Sequence, residues 1–597
     1  MNWIKKNIVS SLTIFLIGII CLFLVNKFSW KGDDNKGYTR IISGDGLGYY
    51  MYLPNIFINN SISNQEVNNR QILTYKDKAI NKYYVGTAIT MLPFFTCGYY
   101  IASIQNDPLD GYSPPFQKAI SIAAIFYLLI GLLFLKMTLT TYNINDYIIS
   151  FTLILITFGT NLLIYVVESP SMSHVYSFSL ISIFIFFSKK YFISNERIYF
   201  YATTILVALI ILIRPIDGLI VFSLPFLAGS WDNLKKSFLF ILNLKSLGFS
   251  LVLFSSIIFV QFYINYLQTT DFLVWNYKNE GFLFSNPQLL NVLFSFRKGF
   301  FIYTPIALLS FVGLVYLIHK NYFSYLSLLI FFVLLIYFTS SWWNWYYGPS
   351  LGQRSFTNFY SLNGILLALF FTYLTSKPIK LVLVISSVLL VGLNLVQSYQ
   401  YNQKIISSWD MNFEKYKYTF LKTDAKYKHC LGGNNDIWLY QDNRKKIMKI
   451  DNDFEVNHEH TSTGKYSYED SRQTQVCDYS NTEFNTSIDI PVDSNFMAKR
   501  GLFAEVSIDR YELAENSSSN AHFVIDVSDS IGNTYHYYAF KINEVPSNLS
   551  HQWKNYQYTI EITTIKNTTD KIKMYVWNKD KKPFYIDNLS VVIYSIN

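Results

Sequence analysis

Up to about Tyr399, apolar runs long enough to cross a bilayer recur along the chain, and beyond that point they stop. A hydrocarbon core takes roughly 20 apolar residues per helix. On that measure the candidate spans are 8–27, 118–137, 147–167, 173–190, 198–213, 216–231, 247–268, 302–319, 322–340, 354–375 and 379–399. The composition agrees: 51% of the 597 residues are hydrophobic and the mean hydropathy is +0.20, too apolar for an ordinary soluble enzyme. The first run follows Met1-Asn2-Trp3-Ile4-Lys5-Lys6, is long, and has no small-residue cleavage site after it. It therefore reads as an uncleaved span rather than a removed signal peptide.

The net charge of +9 is spread through short loops, with no Lys/Arg block of the kind that tracks a nucleic-acid backbone. The excess fits the positive-inside rule instead. Basic loops lie at Lys189-Lys190…Arg197, Lys235-Lys236…Lys245, His319-Lys320 and Lys377…Lys380. They share the cytoplasmic side with Lys5-Lys6 only if the further apolar segment 85–104 does not cross. Pro93 within it, with Asp107-Pro108 and Pro114-Pro115 after it, predicts a broken, re-entrant or interfacial element. The expectation is about eleven spans, with the N-terminus inside and the C-terminal part outside the cell membrane.

This threading leaves the chemically capable loops on the outer face. They are Asp45, the Glu168…His174 corner, Arg214-Pro215-Ile216-Asp217-Gly218, Glu280-Gly281, Arg297-Lys298-Gly299 and the stretch from Trp342 to Arg354. Ionisable residues at membrane depth are costly and mark functional sites by default. Ser43-Gly44-Asp45-Gly46-Leu47-Gly48-Tyr49-Tyr50 is the most unusual of them: glycines let the backbone turn and another molecule approach, and Asp45 offers a proton acceptor or cation ligand. A turn with interfacial tyrosines is the plainer reading of the same residues.

In the later loop, Trp342, Trp343, Trp345 and Tyr346 could form an aromatic belt. The Gly-Pro-Ser-Leu-Gly-Gln-Arg that follows makes a loop ending in Arg354 at the mouth of a span. Aromatic rings stack on sugar faces, and an Arg fork grips phosphate in bidentate fashion, a pairing that suits a sugar-phosphate headgroup. Arg214 either snorkels to the interface or supplies a second phosphate contact. Arg297 and Lys298 break the positive-inside pattern. His174, six residues after Glu168, reads as a polar cap, a general acid/base or a metal ligand. No Ser/His/Asp ordering, P-loop or dinucleotide fingerprint is present.

Several of these motifs resemble the GT-C superfamily of integral-membrane glycosyltransferases, especially bacterial proteins related to protein mannosyltransferases and Rgt-type transferases. The resemblance rests on residues 43–54, Lys82-Tyr83-Tyr84-Val85-Gly86 with Leu92-Pro93-Phe94-Phe95, Arg297–Pro305 and the Trp342–Arg354 loop, and covers roughly 1–400. It implies a polyprenyl-phosphate-linked sugar donor, a cell-envelope glycan, lipid or protein acceptor, and inverting transfer at the outer face of a bacterial cytoplasmic membrane. It implies Asp45 as the base, Arg354, Arg297, Arg214 and Lys298 on the donor phosphate, and Tyr49, Tyr50, Trp342, Trp343, Trp345, Tyr346, Glu168, His174 and Glu280 around sugar or acceptor. Many relatives carry two adjacent acids where this chain has glycines beside Asp45, so a requirement for a divalent metal, Mg or Mn, stays open.

Residues 401–445 read as a connector. From 446 the pattern changes to short alternating strands: 465–468, 487–490, 502–508, 522–527, 535–542, 556–562, 574–577 and 584–594. Such spacing predicts a β-sandwich. Its closing Tyr585-Ile586-Asp587-Asn588-Leu589-Ser590-Val591 resembles the last strand of jelly-roll carbohydrate-binding modules. Of the four cysteines, Cys21 and Cys97 sit in apolar segments, while Cys430 and Cys477 could pair if this part is extracytoplasmic. Besides a transferase, a lipid-linked glycan transporter or flippase and a non-catalytic membrane-anchored glycan-binding protein are compatible with the chain. A transporter would be expected to show related halves, and no internal repeat is visible.

Overall fold

The first helix, Ile8–Leu24, begins against a carboxylate from elsewhere in the chain: Asp146 Oδ2 accepts from the backbone N–H of Val9 at 2.9 Å and of Ser10 at 3.3 Å. Those N–H groups have no partner within their own helix, and an acid at a helix N-terminus also answers its partial positive charge. This contact belongs to the first of two compact units, Met1–Asn402 and Gln403–Asn597. The computed structural model describes residues 7–31, 40–62, 71–277, 280–432, 444–455, 461–469, 471–497, 502–513, 520–543, 545, 551–562, 565 and 567–596. The basic flank Lys5-Lys6 lies outside the described residues.

The first unit is helical. Among the described residues, seven helices are long and apolar enough to cross a membrane, or eight if one bent pair counts as a single span. That pair, Asp146–Phe158 and Asn161–Val167, turns through 60°. The segment expected as one span at 147–167 is therefore broken. Arg197–Ile213, Pro215–Ala228 and Ile306–Lys320 are shorter apolar helices. The expected span 354–375 is a 3₁₀ turn, Arg354–Phe359, leading into a helix at Tyr360–Tyr373.

The segment expected as broken around Pro93 is instead one continuous helix, Gly86–Gln105, with the proline inside it. By length and composition it is one of the seven. Its flanks nevertheless return to one place. Tyr52 donates its hydroxyl to the Tyr83 carbonyl at 2.6 Å before the helix, and Tyr50 donates to the Gly111 carbonyl after it. The two tyrosines are two positions apart, so their partners lie closer together than the roughly 30 Å of a hydrocarbon core. A short hairpin, β1 (Ile72–Tyr75) with β2 (Lys78–Asn81), precedes the helix.

Among its described residues the second unit is all-β apart from two short helical segments at its start and a 3₁₀ turn at Ser494–Phe496. Its strands are β3 (Arg444–Asn452), β4 (Thr461–Thr463), β5 (Tyr466–Glu469), β6 (Thr474–Asp478), β7 (Phe484–Pro491), β8 (Leu502–Glu512), β9 (Ala521–Ser528), β10 (Thr534–Lys541), β11 (Trp553–Ile562), β12 (Lys571–Asn578) and β13 (Phe584–Ile596). Antiparallel pairing gives one sheet ordered β10-β9-β12-β7-β4 and another ordered β11-β8-β13-β6-β5, with β3 also on β13. Alternate residues such as Leu502, Ala504, Val506 and Ile508 on β8 and Ile572, Met574 and Val576 on β12 point inward and form one apolar core. All eight strands expected from the sequence are present, and β3, β4 and β6 are added to them. Cys430 and Cys477 are free thiols, so no disulfide joins them, and Cys97 is exposed rather than packed.

Candidate functional site

Asp45 opens a short helix, Asp45–Tyr50, and two glycines fix its entry. Gly44 sits at φ 56°, ψ −139°, a conformation that side chains with a Cβ resist. At Gly46 a Cβ would come within 2.0 Å of Ser171 Oγ. Ser171 in turn donates to the Ile41 carbonyl at 2.8 Å, which ties the loop to the corner before the helix His174–Ser194. Gln71 donates to the Gly44 carbonyl at 3.0 Å and Asn81 to the Gly48 carbonyl at 2.8 Å. The β1–β2 hairpin thereby holds the loop from its other side.

So placed, Asp45 meets Arg354 from 309 positions along the chain: Arg354 Nη2 donates to Asp45 Oδ2 at 2.6 Å. The carboxylate keeps 30% of its surface exposed and the guanidinium side chain 13%. Burial alone would raise the Asp45 pKa, but the Arg354 charge, a hydrogen bond from Tyr83 and the nearby Lys82 charge outweigh it and hold the carboxyl below its usual range. Tyr49 packs on Tyr83 with ring centroids 4.5 Å apart. Lys82 forms an ion pair with Glu280, and its ammonium also lies 5.5 Å from the centroid of the Tyr277 ring.

Behind Arg354 runs a buried polar chain built from helix ends. Arg214 caps the C-terminus of Arg197–Ile213, where Pro215 follows, and His174 opens its own helix. Arg214 Nη1 lies 3.2 Å from His174 Nδ1, which is 2.9 Å from Asn358 Oδ1. Asn358 donates its amide to both oxygens of Asp217, each at 2.8 Å, and Ser177 donates to the same carboxylate. With the amide nitrogen turned to Asp217, the Asn358 carbonyl oxygen faces the imidazole and takes an Nδ1–H bond. That nitrogen cannot also accept from Arg214, so the two N–H groups face one another without a hydrogen bond.

The remaining expected residues hold other positions. Arg297 lies over Tyr346 with its Cζ 3.6 Å from the ring centroid, and Lys298 donates to the Ser350 carbonyl. Both brace the Trp342–Arg354 loop. Trp345 and Tyr346 are buried at 1% and 5% exposure, and Tyr50 is wholly buried against Phe95 and Tyr112, so none presents a ring face outward. Trp342 and Trp343 are half-buried; Trp342 meets Phe282 edge-on. Glu168 accepts from Asn402. The structure brings Asp45, Tyr49, Arg354, Arg214, His174 and Glu280 into one connected region. It adds Lys82, Tyr83, Asp217 and Asn358 to them.

Among the described residues, no group of three or more His, Cys, Asp or Glu could hold a metal ion. The groups answering the Asp45 charge are a guanidinium, a phenol and an ammonium. Around Asp45 this donor set, two cations and a phenol, does not fit Mg or Mn, which take several oxygen ligands.

Helices of spanning length joined to an antiparallel sandwich define a polytopic membrane unit followed by an all-β unit. No family model matches the chain, and no curated protein matches it. Among solved structures, the arabinosyltransferase EmbB from Mycobacterium smegmatis is similar over 100% of this chain at 9% identity, with a TM-score of 0.40. This chain covers 65% of that one's length.

Proposed function

We propose that the chain is a membrane glycosyltransferase of the GT-C type. In this reading it moves a sugar from a polyprenyl-phosphate donor to a cell-envelope acceptor at the outer membrane face. The observation that carries the reading is the Asp45–Arg354 pair: a base and a phosphate-gripping group, from opposite ends of the helical unit, within one hydrogen bond of each other.

The acceptor hydroxyl oxygen attacks the anomeric carbon from the face opposite the phosphate, which inverts that centre. The bond from the anomeric carbon to the phosphate oxygen breaks, and its electrons stay on the phosphate. The hydroxyl proton passes to Asp45, which accepts it as general base. Arg354, supported by Arg214, stabilises the charge gathering on the lipid phosphate. Because Arg354 starts bound to Asp45, a phosphate that draws the guanidinium away also frees the carboxylate to accept a proton. The half-exposed Trp342 and Trp343 offer the faces on which a sugar ring can stack. The partners are the lipid-linked donor, an envelope glycan, lipid or protein, and the surrounding bilayer, and none is a nucleic acid.

The test is sugar transfer by purified protein in detergent from a panel of radiolabelled polyprenyl-phosphate sugars. Asp45→Asn should lose about 10²–10⁴-fold in rate while still binding donor. Equal rates for both proteins remove Asp45 from the chemistry. Transfer from no donor at all moves the assignment to a glycan transporter or a glycan-binding anchor.

A further inference from the structure

Two buried hydrogen-bond donors, one of them on Arg354 itself, have no partner among the described residues. Arg354 spends Nη2 on Asp45, yet its Nε–H is buried and has no partner among the described residues. The Tyr165 hydroxyl is in the same state, on a side chain only 3% exposed. Tyr165 lies in the short helix Ile164–Val167, after the 60° bend. Its ring packs 4.4 Å from the imidazole of His174, and both Arg354 and Arg214 are within electrostatic reach of its hydroxyl.

A buried donor without an acceptor costs about 1–3 kcal/mol, so an acceptor reaching these two would be bound favourably. The charges nearby say what would use them. Arg354 and Arg214 repel one another across this region, and each has one carboxylate, Asp45 and Asp217 respectively. An acceptor carrying negative charge between the two guanidinia would relieve the repulsion and take both stranded protons. A phosphate has the charge and the several acceptor oxygens this demands. A neutral sugar hydroxyl could accept from both donors but would leave the repulsion untouched.

We propose that the Tyr165 hydroxyl and Arg354 Nε–H together bind a phosphate oxygen, making Tyr165 a phosphate-binding residue of this site. The identity of the phosphate's owner rests on the transferase reading above; the phosphate itself does not. A lipid phosphate and free inorganic phosphate share the chemistry, and the experiment separates them.

The full-length protein in detergent is titrated with undecaprenyl phosphate, with undecaprenol and with inorganic phosphate, as wild type and as Tyr165→Phe. The substitution keeps the ring against His174 and removes only the hydroxyl. It should weaken undecaprenyl phosphate binding by about 10-fold or more, the worth of one hydrogen bond to a charged group, and leave undecaprenol unchanged. The melting temperature of the ligand-free protein supplies a second readout. Deleting an unsatisfied buried hydroxyl should hold or raise it, whereas a hydroxyl bridged into the fold by water should lower it on removal. Unchanged phosphate affinity in Tyr165→Phe, or a lowered melting temperature with phosphate-independent loss of both lipids, overturns the inference and leaves the transferase reading standing. Tyr165-dependent binding of inorganic phosphate with no binding of the lipid phosphate keeps the inference and removes the proposed donor. Binding of neither phosphate by wild type overturns the inference, and sugar transfer measured alongside then decides the reading independently.

Discussion

At the residue scale the central question is how a carboxylate locked to a guanidinium can act as a base. The neighbours of Asp45 hold its pKa below the ordinary carboxylate value near 3.9. A group depressed in this way is charged throughout the neutral range. The stability it contributes is present above the unfolded pKa and is lost only as pH falls through the folded one. Tyr83→Phe removes one of the groups that depress it and leaves both arginines in place. The acid limb of kcat/KM against pH should therefore move upward in Tyr83→Phe, with the neutral plateau retained; an unmoved limb would mean that Tyr83 does not act on Asp45. Metal dependence is argued from the same charges. With Arg354, Tyr83 and Lys82 around Asp45, transfer in excess EDTA should stay within about twofold of the untreated rate, as a carboxylate already answered by cations recruits no divalent ion. A collapse of activity restored by Mg or Mn would show a metal held by groups other than these. The polar residues of the site were partly legible in the sequence. Asp45, Arg354, Arg214 and His174 stand out because an ionisable group among apolar runs is expensive. Tyr165 does not, since a tyrosine inside the apolar stretch 147–167 looks like any other ring until the helix bends. Arg297 and Lys298 stand out because they break the positive-inside pattern, and both contact the Trp342–Arg354 loop.

At the scale of elements, the site depends on one close crossing. Gly86 opens the helix that follows Lys82 and Tyr83, and a Cβ there would lie 2.4 Å from the backbone at Ile213 N and Leu212 C. The obstacle is backbone just before Arg214, which cannot swing aside as a flexible side chain would. Gly86→Ala should cost about 1–3 kcal/mol of stability in detergent. It should also lower transfer by more than that loss explains, because the displaced strand end carries Lys82 and Tyr83 away from Asp45. Thermal unfolding beside kcat checks both parts; an unchanged kcat in folded Gly86→Ala would show that the crossing does not position the site. This element also shows where pattern reading fails. Pro93 argues for a break, yet the helix runs through it from Gly86 to Gln105. Length and composition mark it as a candidate span, and Tyr50 and Tyr52 tie the residues on either side of it, Gly111 and Tyr83, to the Asp45 loop. Hydrophobicity records what a segment can dissolve in, whereas its path is set by hydrogen bonds to residues far along the chain.

At the scale of the molecule, the two units solve different problems of burial. The helical unit leaves large apolar side chains exposed along helices such as Leu244–Thr269 and Lys377–Asn402, a surface suited to lipid. The second unit closes its core with its own residues: Phe523, Ile525 and Val527 of β9 meet Val506, Ile508 and Ile593 within the same apolar cluster. Alternation made that sandwich readable from sequence, because a period of two puts every second side chain inside. β3, β4 and β6 escaped notice: β4 has only three residues, and the Arg444-Lys445-Lys446-Ile447-Met448-Lys449 start of β3 lacks the alternation. A core closed within one unit makes folding of that unit a local matter, and the 403–597 fragment should fold alone in water without detergent. Its thermal transition should be single and cooperative by circular dichroism, with matching loss of near-ultraviolet tyrosine and tryptophan signal. Val506→Ala, at a fully packed inward position of the central strand β8, should lower that transition in the fragment and in the full chain by similar free energies. A fragment that binds hydrophobic dye and melts without a cooperative step would mean instead that the sandwich needs the helical unit to complete its core.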